Sequence, residues 1–378
     1  MLFYLEEVFH MSVSYIEINR SALRHNLRVI RSHLPAHVDC TAVVKADAYG
    51  HGASETMRIA LEEGYNSAAV ARVEEGVALR KDGFTCPVFT LGLPLPEEAE
   101  IAVKYDLIVP VDDTVELEPF EEAAESQGKI LEVWLPIDTG MNRIGTHPED
   151  VEGFLEKLKK YPHIHIHGTF THMAKADIHD KTTARKQLEK FEEALSHMPQ
   201  RLEKGFIISA ANSAGVLDMP ESWYNLARPG IILYGPHPSD EMDNMWDLEY
   251  PMRLISHITH VQVLRKGEAI GYGGTYVAEE DMRTATIPIG YADGFHRALS
   301  NKGSVLVNGK RHRIIGRICM DQMMIAAGDD VQVGDEVVLL GRQGDEVIYP
   351  EEIAAIVNTI PHEVMCGLKR VPRIYVDE

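Results

Sequence analysis

Cysteine is scarce. Cys40, Cys86, Cys319 and Cys366 lie far apart, and no Cys-x-x-Cys pair occurs. That removes redox-motif and zinc-ribbon readings and suits a reducing cytosol. Basic runs are lacking as well. Lysine and arginine number 37 against 58 acidic residues, a net charge of −21, which repels a phosphate backbone and excludes nucleic acid as an expected partner. No apolar stretch approaches the ~20 residues that span a bilayer, so no membrane association is expected. Repeats and low-complexity tracts are absent too. The opening MLFYLEEVFH has no basic n-region, and Glu6 and Glu7 interrupt it, so it does not read as a signal peptide. Met11 precedes SVSYIEINRSALRHNL, which reads as a natural beginning after an upstream extension.

What remains is an ordinary globular balance: 378 residues, 45% apolar and 25% charged, enough for a barrel-sized domain and a smaller one. Through the first two thirds, short β-type runs alternate with helical stretches. The runs are TAVVK (41–45), SAAVA (67–71), PVFTL (87–91), LIVPV (107–111), ILEVWLPI (130–137), HIHIHGTF (163–170), GFIISA (205–210) and a last one near 225–234. Eight strand–helix units are the count of an α/β protein with a (β/α)8 TIM-type barrel. From about 248 the runs become β-rich and glycine-punctuated, with an Asn-Gly hairpin signal in VNGKR and one helical insert at 351–360. This predicts a C-terminal, mainly antiparallel β domain. The expected division is an extension at 1–14 lying with the β domain, a barrel over 15–245, and the β domain over 246–378.

Barrel chemistry sits where strands end. Lys45 ends TAVVK and alternates with Thr41 and Val43. Two readings are open for it. An inward ammonium is costly unless occupied, as in a Schiff base with an aldehyde cofactor. Alternatively, the lysine snorkels into solvent. His172 alternates with Ile164, Ile166, Gly168 and Phe170, and so is expected inside the barrel rim. His163, His165 and His167 share the other alternation. Their spacing suits a single zinc poorly, so they read as a polar strand side, and no metal site is expected. By spacing alone, Tyr272 is a packed turn residue and Arg228 a strand-end ion-pair partner.

VVKADAYGHG strongly resembles the pyridoxal-phosphate lysine segment of bacterial alanine racemases. IDTGMNRIG (137–145), THMAKAD (171–177), ANSAG (211–215), ARPGIILYG (227–235), IGYGGTY (270–276), IPIGYADGF (287–295), GRICMDQ (316–322) and RVPR (370–373) follow in the family's order. The resemblance runs from about Tyr15 to the end. It implies a cytoplasmic pyridoxal 5'-phosphate isomerase that interconverts L- and D-alanine, supplies D-alanine for peptidoglycan, and works as a head-to-tail homodimer with composite active sites. Lys45 is implied to carry the cofactor and to act as one base. Tyr272, from the neighbouring subunit, is the second, supported by His172. An ordinary tyrosine titrates near about 10, so its phenolate needs stabilising. Arg228 is implied at the pyridine nitrogen. As a permanent cation it only donates a hydrogen bond, which restrains transamination. Tyr49, Ser213, Gly230 and Ile231 are implied to hold the phosphate. Arg143 is implied to bind the substrate carboxylate, and Met320, with Asp321 beside it, to border a small side-chain pocket.

Three positions depart from the family pattern. Pro136 stands where many members carry a carbamylated lysine, Ser209 where many carry a histidine, and Lys369 where some carry a tyrosine. Competing readings are a non-catalytic pyridoxal-phosphate carrier, which the second domain disfavours, and a barrel-type decarboxylase, which Arg228 disfavours. A serine or broad-specificity racemase is the alternative within the class.

Overall fold

The structure is a computed structural model and describes residues 12–377. Residues 1–11 of the expected extension lie outside the described residues. The chain opens on β1 (Tyr15–Asn19) and the helix Arg20–His33. Eight strands follow: β2 (Asp39–Val43), β3 (Ser67–Val70), β4 (Val88–Thr90), β5 (Val109–Pro110), β6 (Leu131–Pro136), β7 (Ile164–Phe170), β8 (Ile207–Ser209) and β9 (Leu226–Ala227). β2 pairs with β3 and β3 with β4, all parallel. β5 to β8 pair likewise in sequence order. β9 returns to β2. A parallel bridge between Phe89 and Ile108 joins β4 to β5. Near β8 and β9, Arg228 N donates to Ala211 O at 2.9 Å. The result is a ring of eight parallel strands with helices between them, the barrel that the alternation predicted. Strands covered on both faces need apolar residues throughout, which is why SAAV and VFT are buried at every position.

One irregularity matters for the site. Ile166 pairs with Val133, but Gly168 pairs with Trp134, so β7 carries one extra residue at His167. The bulge reverses the alternation. Ile164 and Ile166 share a face with Leu131 and Val133, whereas Gly168 and Phe170 share the opposite face with Trp134 and Pro136. The expected single inward row from Ile164 to His172 is therefore corrected: only its upper part lies on the Phe170 face. Arg228, following β9, lies over the Phe170 ring at 5.4 Å, which marks that face as the interior. Phe89, Trp134 and Phe170 pack there as tilted rings, with centroids 4.8 and 3.9 Å apart.

Among the described residues, eleven more strands join β1 in the second unit. They are β10 (Met252–His257), β11 (His260–Leu264), β12 (Ala269–Ile270), β13 (Tyr276–Val277), β14 (Met282–Ile287), β15 (Ser304–Val307), β16 (Lys310–Arg313), β17 (Met323–Ala326), β18 (Glu336–Gln343) and β19 (Glu346–Ile348), with β20 (Arg373–Val376) as the last. The main sheet runs β16-β15-β18-β10-β1-β20, and β11-β14-β17 form a smaller one. β15 and β16 meet at Asn308 and Gly309, whose φ values of 52° and 72° give the expected tight hairpin. The helical insert is two helices, Pro350–Val357 and Pro361–Cys366. Asn358, at φ 60°, ends the first and Pro361 opens the second.

The chain divides into two compact units: residues 23–48 with 52–249, and residues 12–22, 49–51 and 250–377. β1, expected with the barrel, pairs with β10 and β20 instead. The reason lies in YIEIN, where Ile16 and Ile18 alternate with half-exposed residues. That pattern suits a sheet covered on one face, not a doubly covered barrel strand. Ser14 Oγ bonds Ser256 Oγ at 2.8 Å and Pro288 O at 3.1 Å, within this same unit.

Candidate active site

Lys45 is half-buried just beyond β2. The four residues after it take an unusual path. Ala46, Asp47, Ala48 and Tyr49 have φ of 51°, 55°, 54° and 54°, a left-handed turn built without glycine. Each L-residue there costs roughly 1–2 kcal/mol. Hydrogen bonds offset the strain. Ala48 N donates to Val44 O at 2.8 Å and Gly52 N to Asp47 O at 2.9 Å. The Asp47 carboxylate accepts from Ala53 N at 2.8 Å. The Glu75 carboxylate accepts from Ala46 N at 2.7 Å, Ala71 N at 2.6 Å and Arg72 N at 3.1 Å. Glu75 lies thirty residues from Lys45 in the chain, so no local motif marks it.

Arg228 is buried, and its guanidinium donates to Ser209 Oγ and, at 2.8 Å, to Thr171 O. Ser209 Oγ in turn donates to Leu226 O at 2.6 Å. Both acceptors of the cation are neutral. Burial, and then the Arg143 charge, lower its pKa to about 9. His172 stands among Arg228, Arg143 and Lys45. Burial first, then those three charges in that order, push its imidazole down to about 3, so it is neutral at physiological pH. Arg143 is exposed on a loop shaped by Asp138, whose carboxylate accepts from Gly140 N at 2.9 Å and Asn142 N at 3.0 Å. Pro136 ends β6, and its carbonyl takes the Thr146 amide at 3.0 Å, closing that loop.

Ser213 begins the helix Ser213–Asp218, capped by Asn212 Oδ1 accepting from Gly215 N at 3.0 Å. Gly230 N donates to Ser213 Oγ at 2.9 Å, and Ile231 opens the next turn. Two helical starts thus meet at the Ser213 hydroxyl, a place suited to an anion. Tyr234, passed over in the sequence, donates to Val43 O at 2.9 Å and so ties this cradle to the end of β2. The structure therefore gathers Lys45, Arg143, His172, Ser213, Arg228, Gly230 and Ile231 at the strand ends of one barrel.

The remaining predicted residues belong to the other unit. Tyr272 is 72% exposed in the turn Tyr272–Gly274, and Met320 is 58% exposed. Asp321 is exposed beside it. Met320 O accepts from Ala292 N at 2.8 Å, and a Cβ on Gly290 would stand 2.5 Å from Met320 C, so only glycine lets these segments close. Tyr49 is buried with its ring 5.8 Å from that of His362. Burial raises its pKa, which keeps the hydroxyl protonated. His163 pairs with Glu121, and His165 and His167 with Glu132. Among the described residues no group of histidines, cysteines and carboxylates is arranged to hold a metal.

Residues 18–238 match the model for the alanine racemase N-terminal domain, and residues 251–375 that for the C-terminal domain. The chain belongs to the alanine racemase family. An alanine racemase of Halothermothrix orenii is 40% identical over 365 residues, 96% of each chain. Among solved structures, an alanine racemase of Clostridium difficile 630 superposes with a TM-score of 0.91 at 37% identity, covering 97% of this chain and 96% of that one. One from Bartonella henselae, with covalently bound pyridoxal phosphate, gives a TM-score of 0.86 at 28% identity over 97% and 100%. The barrel plus β-domain fold is the alanine racemase fold, and the chain functions as an alanine racemase, an isomerase. The family uses pyridoxal phosphate.

Proposed function

We propose that this chain racemises alanine by a two-base mechanism on pyridoxal phosphate, with Lys45 and Tyr272 as the bases. The residues fit the cofactor. The turn of Ser213, Gly230 and Ile231, in which Ser213 Oγ accepts from Gly230 N and keeps its own proton to donate, would hold the phosphate dianion, with the Tyr49 hydroxyl assigned to the same role by the resemblance, and Lys45 would supply the amine that holds the aldehyde carbon. When bound, the cofactor acidifies the substrate Cα–H by drawing electrons from it. The chain's own groups do the rest. Lys45 serves one face of the Cα and Tyr272 the other, because one residue cannot easily deliver a proton to both faces of a planar centre. Arg143 binds the substrate carboxylate, and Met320 limits the side-chain pocket to a methyl-sized group.

The observation that carries this reading is the buried Arg228, held by two neutral oxygens beside a neutral His172. An arginine at the ring nitrogen donates a hydrogen bond but surrenders no proton, so electron withdrawal stays moderate and protons return to Cα. An acidic partner there would favour decarboxylation or transamination. Neutral His172 is free to orient the Tyr272 hydroxyl.

Because Tyr272 and Met320 belong to a different unit from Lys45, the reading includes a homodimer in which each site takes these two residues from the neighbouring copy. A cytoplasmic enzyme supplying D-alanine for peptidoglycan completes it. Lys45→Ala tests the cofactor assignment. It is expected to abolish the borohydride-reducible cofactor link together with racemisation. A link retained on another lysine would overturn the assignment.

A further inference from the structure

The turn after Lys45 is the most strained backbone near the site, with four consecutive non-glycine residues at φ between 51° and 55°. Such a turn persists only where its surroundings over-determine it. Glu75 bonds this turn from outside it. It is the third residue of the helix Val73–Lys81 and is half-buried. One carboxylate oxygen takes Ala46 N at 2.7 Å. The other takes Ala71 N at 2.6 Å and Arg72 N at 3.1 Å. The first amide belongs to the peptide immediately following Lys45. The other two belong to the segment leaving β3, the strand that pairs with β2. A single anion therefore fastens the lysine's own peptide to the neighbouring strand end, through charge-assisted bonds that are stronger than neutral ones.

We propose that Glu75 is a positioning residue for Lys45: its carboxylate holds the left-handed turn and thereby fixes the direction in which the lysine side chain leaves the barrel rim. The proposal rests on the reading of Lys45 as the cofactor lysine. Glu75 itself touches neither substrate nor cofactor in this account. Its three bonds use both oxygens. A glutamine has one acceptor oxygen and one amide nitrogen, so Glu75→Gln can satisfy Ala71 and Arg72 or Ala46, but not both. The neighbouring Glu74, exposed and paired with Arg72 Nη1 at 3.3 Å, provides a control of equal charge change.

The experiment uses the full-length protein loaded with pyridoxal phosphate. Glu75→Gln is expected to retain the borohydride-reducible link on Lys45. Amide hydrogen exchange in residues 45–50 is expected to accelerate at least about tenfold, since exchange reads local opening. The circular dichroism of the bound cofactor is expected to fall by about half or more. kcat is expected to fall about 10–100-fold with little change in KM, as misplacement by about an ångström does. Glu74→Gln is expected to change none of these. Ala46→Gly relieves the left-handed strain directly, so adding it to Glu75→Gln is expected to recover part of the dichroism and of kcat. That double variant also carries the test if the single one folds poorly. Unchanged exchange and dichroism in Glu75→Gln, or no recovery in the double variant, would overturn the positioning role. A reduced adduct on another lysine in the unsubstituted protein would instead overturn the Lys45 assignment, so the two failures are distinguishable.

Discussion

At the scale of single residues, three cations act on one imidazole at the barrel end. His172 faces Arg228, Arg143 and Lys45, and its pKa falls to about 3. Against an unfolded value near 6.5, the folded state binds fewer protons between about pH 6.5 and 3. Stability is then intact above 6.5 and lost as pH falls through that window, by up to ~1.4 kcal/mol per pH unit for this one proton. His172→Gln is expected to flatten the slope of unfolding free energy between pH 6 and 4. Denaturant titrations at those values check it, and an unchanged slope would show that His172 is protonated in the fold. Ser209 is the other residue that the structure redefines. In the sequence it is only a departure from a pattern. In the fold it accepts from Arg228 and donates to Leu226 O. Ser209→Ala removes one of the cation's two acceptors in a buried place, and a loss of about 1–3 kcal/mol is expected from chemical denaturation. Lys45, Arg228 and Ser213 could be placed at strand ends from the sequence, because each follows a short β-type run. The roles of Glu75 and Tyr234 could not be read there, because each acts through a partner distant in sequence.

At the scale of elements, periodicity carried the fold but missed a bulge and misplaced β1. Eight apolar runs announced eight strands, and Asn308-Gly309 announced its hairpin. The bulge at His167 left no comparable mark, since HIHIHGTF keeps a regular alternation in letters while the backbone slips by one residue. β1 misled for the opposite reason: its alternation was visible, but it precedes a helix as a barrel strand does. Gly168 shows what holds β7 to β8. A Cβ there would lie 2.5 Å from Ile207 O, so backbone rather than a flexible side chain would have to move. Gly168→Ala is expected to destabilise by at least ~1–3 kcal/mol, as overpacking does. It should also weaken cofactor binding, because β8 carries Ser209 and the strand end before Ser213. Normal stability with normal cofactor affinity would mean that the two strands can separate freely.

At the scale of the whole molecule, the two proposed bases belong to different compact units, and each proposed site is shared by two chains. Lys45→Ala and Tyr272→Phe chains are each expected to be nearly inactive. Mixed under conditions of proven subunit exchange, they should recover activity, because a heterodimer holds one site with both residues intact. No recovery would confine the site to one chain. If two residues divide the two faces of Cα, removing one of them separates the enantiomers. Tyr272→Phe removes one base and leaves Lys45 in place, so the variant should bind cofactor normally. Racemisation should fall by roughly 10²–10⁴-fold, the usual worth of a positioned general base. In deuterium oxide, the Cα proton of D-alanine should still exchange through Lys45, and faster than that of L-alanine. Equal exchange from both enantiomers would contradict the division and point to a single base serving both faces.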